Sequence, residues 1–150
     1  MKKIVMLLSV VFLFSCNNNA IEKILDRNNR LSGTQSDNGT TFIKAFIVKN
    51  NFYYLYALNN CNSEDKGKQN EFVYAFFEKQ TSTNLKSIIN SSEEFKIIGE
   101  NDYNIIFKYH CDDGRQISEI KFEYIDGGFK YVRGESEWNE AVDLMFENIK

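Results

Sequence analysis

The sequence predicts an α+β fold: a single, mostly antiparallel β-sheet with helices packed on one face, in the order α-βββ-α-ββββ-α. Short aromatic and β-branched segments are joined by polar turns, a pattern typical of hairpin-linked strands. Other segments place apolar residues three and four positions apart, which favours amphipathic helices. The chain has 150 residues, the length of one domain, and contains no proline that would interrupt these elements.

The first predicted helix covers 20–31. Its apolar positions are Ile21, Ile24, Leu25 and Leu31. The next segment, 32–41, has no apolar residue and contains two glycines, so it is predicted to be a loop or linker. The globular domain is therefore expected to span 42–150. Residues 16–41 would supply a spacer, the helix and the polar loop, with the helix either docked on the domain or acting as a stalk.

The remaining elements follow from the alternation of apolar segments and turns. The predicted strands are 42–48, 52–58, 72–77, 94–98, 103–109, 117–125 and 129–133. A central helix is predicted over 82–90, because Ser82 or Thr83 can cap its N-terminus. Asp126-Gly127-Gly128 is predicted to close a hairpin, since Asp-Gly supplies the positive φ that tight turns need. A last helix is predicted over 136–149, with Trp138 on its apolar face.

The composition excludes several classes of protein. A chain that is 43% hydrophobic and 26% charged is neither a disordered segment nor a polytopic membrane protein. Asp and Glu (21) outnumber Lys and Arg (18), so no nucleic-acid partner is expected.

The N-terminus has the pattern of an export signal. Lys2 and Lys3 precede an apolar run over 4–14, too short to span a bilayer, so residues 1–15 are predicted to be a signal peptide. The run ends in Leu13-Phe14-Ser15-Cys16, which resembles the lipobox of bacterial lipoproteins, although Phe14 is bulkier than the usual residue there. The resemblance implies that Cys16 is lipidated and becomes the new N-terminus; the alternative is an ordinary signal peptide.

The lipobox resemblance also implies a location. A lipid-modified Cys16 would hold the protein on a membrane of the cell envelope. Removal of Lys2 and Lys3 with the signal would change the formal net charge from −3 to −5. Surface-exported lipoproteins of Bacteroidota resemble one another in having acidic residues just after the cysteine. Here Asn17-Asn18-Asn19 follows instead, so a periplasm-facing location is expected.

Two cysteines remain once Cys16 is assigned to lipid. An even count in an exported domain favours a Cys61–Cys111 disulfide, and both residues lie at or just after predicted strand ends. Two buried free thiols are the alternative. No C-x-x-C motif indicates redox chemistry.

The sequence contains no catalytic motif that we can assign. His110 is the single histidine, and neither a G-x-S-x-G turn nor a phosphate-binding loop is present. The pattern favours a structural role for His110 at a strand end over a catalytic role. We predict no catalytic residue, no metal ligand and no cofactor. A calcium site formed by Asp112 and Asp113 with the loop at 64–65 is the alternative to two solvated loops.

Aromatic residues make up 15% of the chain and suggest a binding face. On the strand 52–58, Phe52, Tyr54 and Tyr56 would share one face while Tyr53 lies on the other. An exposed tyrosine platform could bind a glycan or a protein partner. Core packing with partly buried tyrosines is the alternative.

These observations predict a lipid-anchored, non-catalytic binding or accessory module with a possible protein partner in the envelope. A periplasmic immunity protein or inhibitor is the alternative, since an acidic domain could capture a basic toxin or wall-degrading enzyme. A hydrolase with an unrecognised site is a third hypothesis.

Overall fold

The computed structural model describes residues 19–35, 39–59, 61, 68–111, 114 and 116–133. Along the chain, the elements are α1 (19–29), β1 (Thr40–Val48), β2 (Asn51–Leu58), α2 (Lys68–Ser91), α3 (Glu93–Glu100), β3 (Asn104–Cys111), β4 (Gln116–Ile125) and β5 (Gly128–Arg133). The predicted α+β class is confirmed: one five-stranded sheet has three helices packed against it. The predicted signal peptide, the proposed lipid-attachment residue Cys16 and the predicted helix over 136–149 lie outside the described residues.

The sheet follows the chain, with strand order β1-β2-β3-β4-β5. Three of its four strand pairs are antiparallel, as predicted, whereas β2 and β3 run parallel. A parallel pair cannot be closed by a tight turn, so the chain needs a long crossover there, and α2 and α3 lie within it.

The predicted β4–β5 hairpin is present, and β1 and β2 form a second hairpin with a short turn. Lys49 in the β1–β2 turn has φ 56°, and Asp126 and Gly127 in the β4–β5 turn have φ 54° and 79°. Two successive residues with positive φ match the twist of the flanking strands, which is why Asp-Gly predicts this turn well.

One face of the sheet and the three helices share a single hydrophobic core. Its helical members include Ile21 and Ile24 from α1, Ile89 from α2 and Ile98 from α3. The sheet contributes a series of aromatic rings across its central strands. Tyr54 stacks on Phe107 with centroids 5.1 Å apart, Tyr56 stacks on Tyr109 at 5.3 Å, and Phe77 of α2 meets Tyr109 edge-on at 5.2 Å. Packed rings account for much of the aromatic content.

The prediction of a strand over 72–77 is wrong, because this segment belongs to the long helix α2. Among the α2 side chains that the structure describes, the buried ones are Glu78, Ser82 and Ile89, which follow helical spacing. Two of these three are polar, so the apolar pattern does not reveal the inward-facing stripe. Ser82 is not an N-cap either, since its hydroxyl donates to the Lys79 carbonyl 3.0 Å away within the helix.

The prediction of a strand over 94–98 is also wrong, because this segment lies in α3. A short apolar run has no periodicity long enough to separate strand from helix. Packing decides between them here. Ile98 is fully buried, and Gly99 lies so close to the Tyr124 ring that a Cβ at this position would overlap it.

Candidate functional site

The structure divides the predicted aromatic binding face. Phe52 and Tyr54 are buried in the core (0% and 3% exposed), so they cannot form part of an exposed platform. Tyr53 and Tyr56 are partly exposed and lie on opposite faces of β2. Of the four predicted residues, Tyr56 lines a cavity.

The cavity at Tyr56 exists because the chain after α1 folds back along the edge strand β1. Gly33 N donates to Phe42 O at 2.8 Å, and Phe42 N donates to Thr34 O at 3.0 Å. These bonds hold the connecting segment beside β1 like a short additional strand. They also satisfy backbone groups that an edge strand would otherwise present to solvent.

We call this cavity the Tyr56 groove and define it by its lining residues. They are Asn28, Leu31, Thr34, Gln35, Phe42 and Tyr56. The groove has a volume of about 210 Å³. The rings of Phe42 and Tyr56 are tilted against each other with centroids 5.3 Å apart. Leu31 is 53% exposed and adds an accessible apolar side chain beside the two rings.

The chemistry of the groove is neutral. Burial raises the pKa of the Tyr56 phenol above its ordinary value, so the hydroxyl stays protonated and can donate or accept a hydrogen bond. The Asn28 amide is held in place, because its Nδ2 donates to Ile24 O at 2.9 Å and to Glu94 Oε1 at 2.7 Å. Thr34 and Gln35 add exposed polar groups. This combination suits an apolar group with a few polar atoms around it.

Tyr53, on the other face of the sheet, is engaged in a different arrangement. Its ring stacks on Phe46 with centroids 4.9 Å apart and an interplanar angle of 6°. The Lys108 ammonium lies 5.6 Å from the Tyr53 centroid and 2.9 Å from a Glu119 carboxylate oxygen. Lys44 lies over Phe46 at 5.2 Å. These contacts hold Tyr53 in a cross-strand packing network.

Among the described residues around it, His110 contacts a backbone carbonyl and not a nucleophile. Its Nδ1 lies 3.0 Å from the Gly114 carbonyl oxygen, an interaction that closes the end of β3. The adjacent Cys111 is in the disulfide. In the part of the chain that the structure describes, no group of three or more His, Cys, Asp or Glu side chains could hold a metal ion. Residues 64–65 and 112–113, which would form the calcium site of the alternative hypothesis, lie outside this part of the chain.

The predicted Cys61–Cys111 disulfide is confirmed. The two Cα atoms are 5.0 Å apart, and 50 positions separate the residues in sequence. Leu58 at the end of β2 is the register partner of Cys111 at the end of β3, so the bridge forms beside the parallel strand pair. It ties the start of the long crossover to the strand where the crossover ends.

One buried carboxylate was missed by the sequence analysis. Glu78 of α2 is 1% exposed and accepts a hydrogen bond of 2.8 Å from Ser118 Oγ of β4. It is absent from the lining of the Tyr56 groove, and its contact joins a helix to the sheet. No sequence pattern could have identified it, because its environment is created by a residue 40 positions away.

A second cavity of about 150 Å³ lies where α2 and α3 meet the β4–β5 turn. The Asn90 side chain, which lines this cavity, already has hydrogen-bond partners within the protein. Asn90 Oδ1 accepts from Phe129 N at 3.2 Å, and Nδ2 donates to Lys86 O at 2.9 Å. These bonds hold the hairpin turn against the end of α2, and this role is structural.

No known protein family, curated protein or solved structure matches this chain. Among the described residues, no helix is both long enough and apolar enough to cross a membrane.

Proposed function

We propose that this protein is an envelope-anchored lipoprotein whose folded domain binds a protein partner through the Tyr56 groove. The observation that carries the proposal is the groove itself, where an exposed Leu31 lies beside the aromatic pair Phe42 and Tyr56. The lipobox-like sequence ending in Cys16 supports the anchor.

The size of the groove favours a protein partner over a small-molecule substrate. Its volume of about 210 Å³ is below the ~300–1,000 Å³ typical of sites that enclose small molecules. Such a space suits one large side chain. Protein interfaces derive much of their affinity from a few aromatic or apolar side chains that fill pockets of this kind.

The surroundings of the groove have the anatomy of a small interface centre. An apolar floor made by two rings is bordered by the polar side chains of Asn28, Thr34 and Gln35. In interfaces, a rim of this type excludes water from the central contact and supplies hydrogen bonds. Among the described residues, the groove lining carries no charged side chain, so none of these residues would impose the desolvation cost of an ion on an incoming apolar group.

The test is capture of partners from detergent-solubilised envelope with the tagged, full-length protein. The sharpest variant is Leu31→Asp, which places a charge at the groove without emptying the core. Ile88→Asp is the matched control, because Ile88 on α2 is also 53% exposed and does not line the groove. A buried aspartate at an interface centre should weaken binding by about ten-fold or more.

We expect Leu31→Asp to lose a partner that the wild type and Ile88→Asp both capture. If all three recover the same proteins in equal yield, the groove is not the binding site. The identity of the partner separates the two hypotheses for the domain. A resident envelope protein supports an accessory module. A basic toxin, against which the gene protects the cell, supports an immunity protein.

A further inference from the structure

The helix that follows the proposed anchor is part of the folded core. Ile21 and Ile24 of α1 are each 5% exposed and belong to the same hydrophobic cluster as the sheet. Removing two such side chains from water stabilises the docked helix relative to an exposed one. Of the two predicted arrangements for this helix, the structure has the docked one.

Polar contacts hold the other end of α1 in place. Arg27 forms an ion pair with Glu94 of α3, and Asn28 donates to the same carboxylate at 2.7 Å. Asn29 forms two hydrogen bonds with the backbone of Ala45 in β1. Both the apolar face and the C-terminal end of α1 are therefore attached to the domain, so the helix cannot swing away as a stalk without breaking all of these contacts.

A docked α1 leaves almost no tether between the lipid and the domain. From Cys16 to residue 19, where the helix begins, three residue steps can span at most about 11 Å whatever their conformation. From residue 19 to Asn28 the helix rises about 14 Å. Asn28 of the Tyr56 groove therefore lies within about 25 Å of the Cys16 backbone. If 16–41 were a flexible tether, it could extend to roughly 90 Å.

We infer that the Tyr56 groove operates at the membrane surface and that its partner is a protein held in or on the same membrane. The inference rests on the proposed lipid anchor and the proposed groove. Anchoring both proteins to one membrane confines them to the same surface and raises their effective concentration relative to a partner free in solution. A protein embedded in the membrane, or carrying its own lipid, presents its surface within the required range.

The experiment measures energy transfer in proteoliposomes that contain the purified, lipidated full-length protein. A donor dye is attached through a non-natural amino acid at Arg30, which is exposed at the end of α1 and does not line the groove. The acceptor is a lipid labelled on its headgroup. In one variant, twenty Gly and Ser residues are inserted between Asn18 and Asn19, adding a root-mean-square reach of about 25 Å. In the matched control, the same insert follows Lys150.

We expect strong transfer in the wild type and in the C-terminal control. Insertion before Asn19 should lower the transfer efficiency about two-fold or more, because the domain can then leave the lipid surface. Equal transfer in all three proteins would overturn the inference, as would failure of the wild type to stay with the membrane. These readouts do not depend on partner binding.

Partner capture tests the second half of the inference. In intact membranes, insertion before Asn19 should reduce cross-linking to the partner about five-fold or more, while the detergent-solubilised variant binds it as the wild type does. Undiminished cross-linking in membranes would show that the partner does not need the short tether. Leu31→Asp should abolish capture without changing energy transfer, so a failed groove and a failed tether give different results.

Discussion

One side chain at the end of α1, Asn29, hydrogen-bonds directly to the backbone of the edge strand β1. Asn29 copies the hydrogen bonding of a neighbouring strand: its Nδ2 donates to Ala45 O at 3.0 Å, and its Oδ1 accepts from Ala45 N at 2.7 Å. Ala45 is 3% exposed and lies on the edge strand β1. Asn29→Ala would remove both partners from a backbone that is largely shielded from water.

The expected loss of stability follows from this geometry. Each buried backbone group left without a partner costs about 1–3 kcal/mol, and water reaching the edge would recover part of that cost. We therefore expect Asn29→Ala to lower the free energy of unfolding by about 2–4 kcal/mol. For a chain of this length, that corresponds to a fall in Tm of roughly 10 °C.

The assay is urea unfolding followed by circular dichroism, together with hydrogen exchange at the Ala45 amide. Asn29→Asp retains the oxygen that accepts from Ala45 N but sets a carboxylate oxygen against Ala45 O in place of the donor, so it should not recover the stability lost in Asn29→Ala. Arg30→Ala is the control, because Arg30 is exposed on the same helix end. If Asn29→Ala lies within about 0.5 kcal/mol of the control and Ala45 stays protected, the reasoning about this edge is refuted.

Three further predictions concern the stability of the domain. Replacing both cysteines of the Cys61–Cys111 disulfide by serine should lower the free energy of unfolding by about 2–4 kcal/mol, since a closed loop of this length gives about 4 kcal/mol in the chain-entropy model. Reduction of the wild type should cause the same loss. An unchanged denaturation midpoint would exclude a stabilising bridge. Gly99→Ala should lower the free energy of unfolding by about 1–3 kcal/mol, because the added Cβ overlaps the Tyr124 ring. The control Glu100→Ala, at an exposed position, should change it little. Burial raises the pKa of Tyr109, so its phenol stays neutral in the folded protein while the unfolded chain ionises near pH 10. Stability should therefore fall above about pH 10, by up to about 1.4 kcal/mol per pH unit for this tyrosine, and Tyr109→Phe should reduce the slope; equal slopes would contradict the assignment.

Much of the second half of the fold can be predicted because its signals are local. The β4–β5 turn follows from Asp126 and Gly127, since positive φ is a property of the turn residues themselves. In β4, the buried positions Ile120 and Phe122 alternate with more exposed neighbours, and this period of two identifies a strand beside a core.

The candidate site was predicted only in part. Tyr56 could be selected from the aromatic residues of its strand, but nothing in that pattern distinguishes it from Tyr54. The difference arises from what covers each ring. Tyr54 donates to Glu94 at 3.3 Å beneath the helices, whereas Tyr56 lies next to Phe42, where the chain after α1 leaves a gap.

The sequence by itself determined the α+β class and the β4–β5 hairpin turn and favoured the pairing of the two cysteines, because each depends on residue type, spacing or count along the chain. Only the tertiary structure decided that 72–77 is helical, that α1 is docked and that a groove forms at Tyr56. The groove follows from the docking, because the chain after α1 then runs beside β1, and the first two outcomes share one physical reason. Buried Glu78 of α2 and Asn29 of α1 are polar, and they are compatible with burial or docking only because Ser118 and Ala45, distant in sequence, provide their hydrogen bonds.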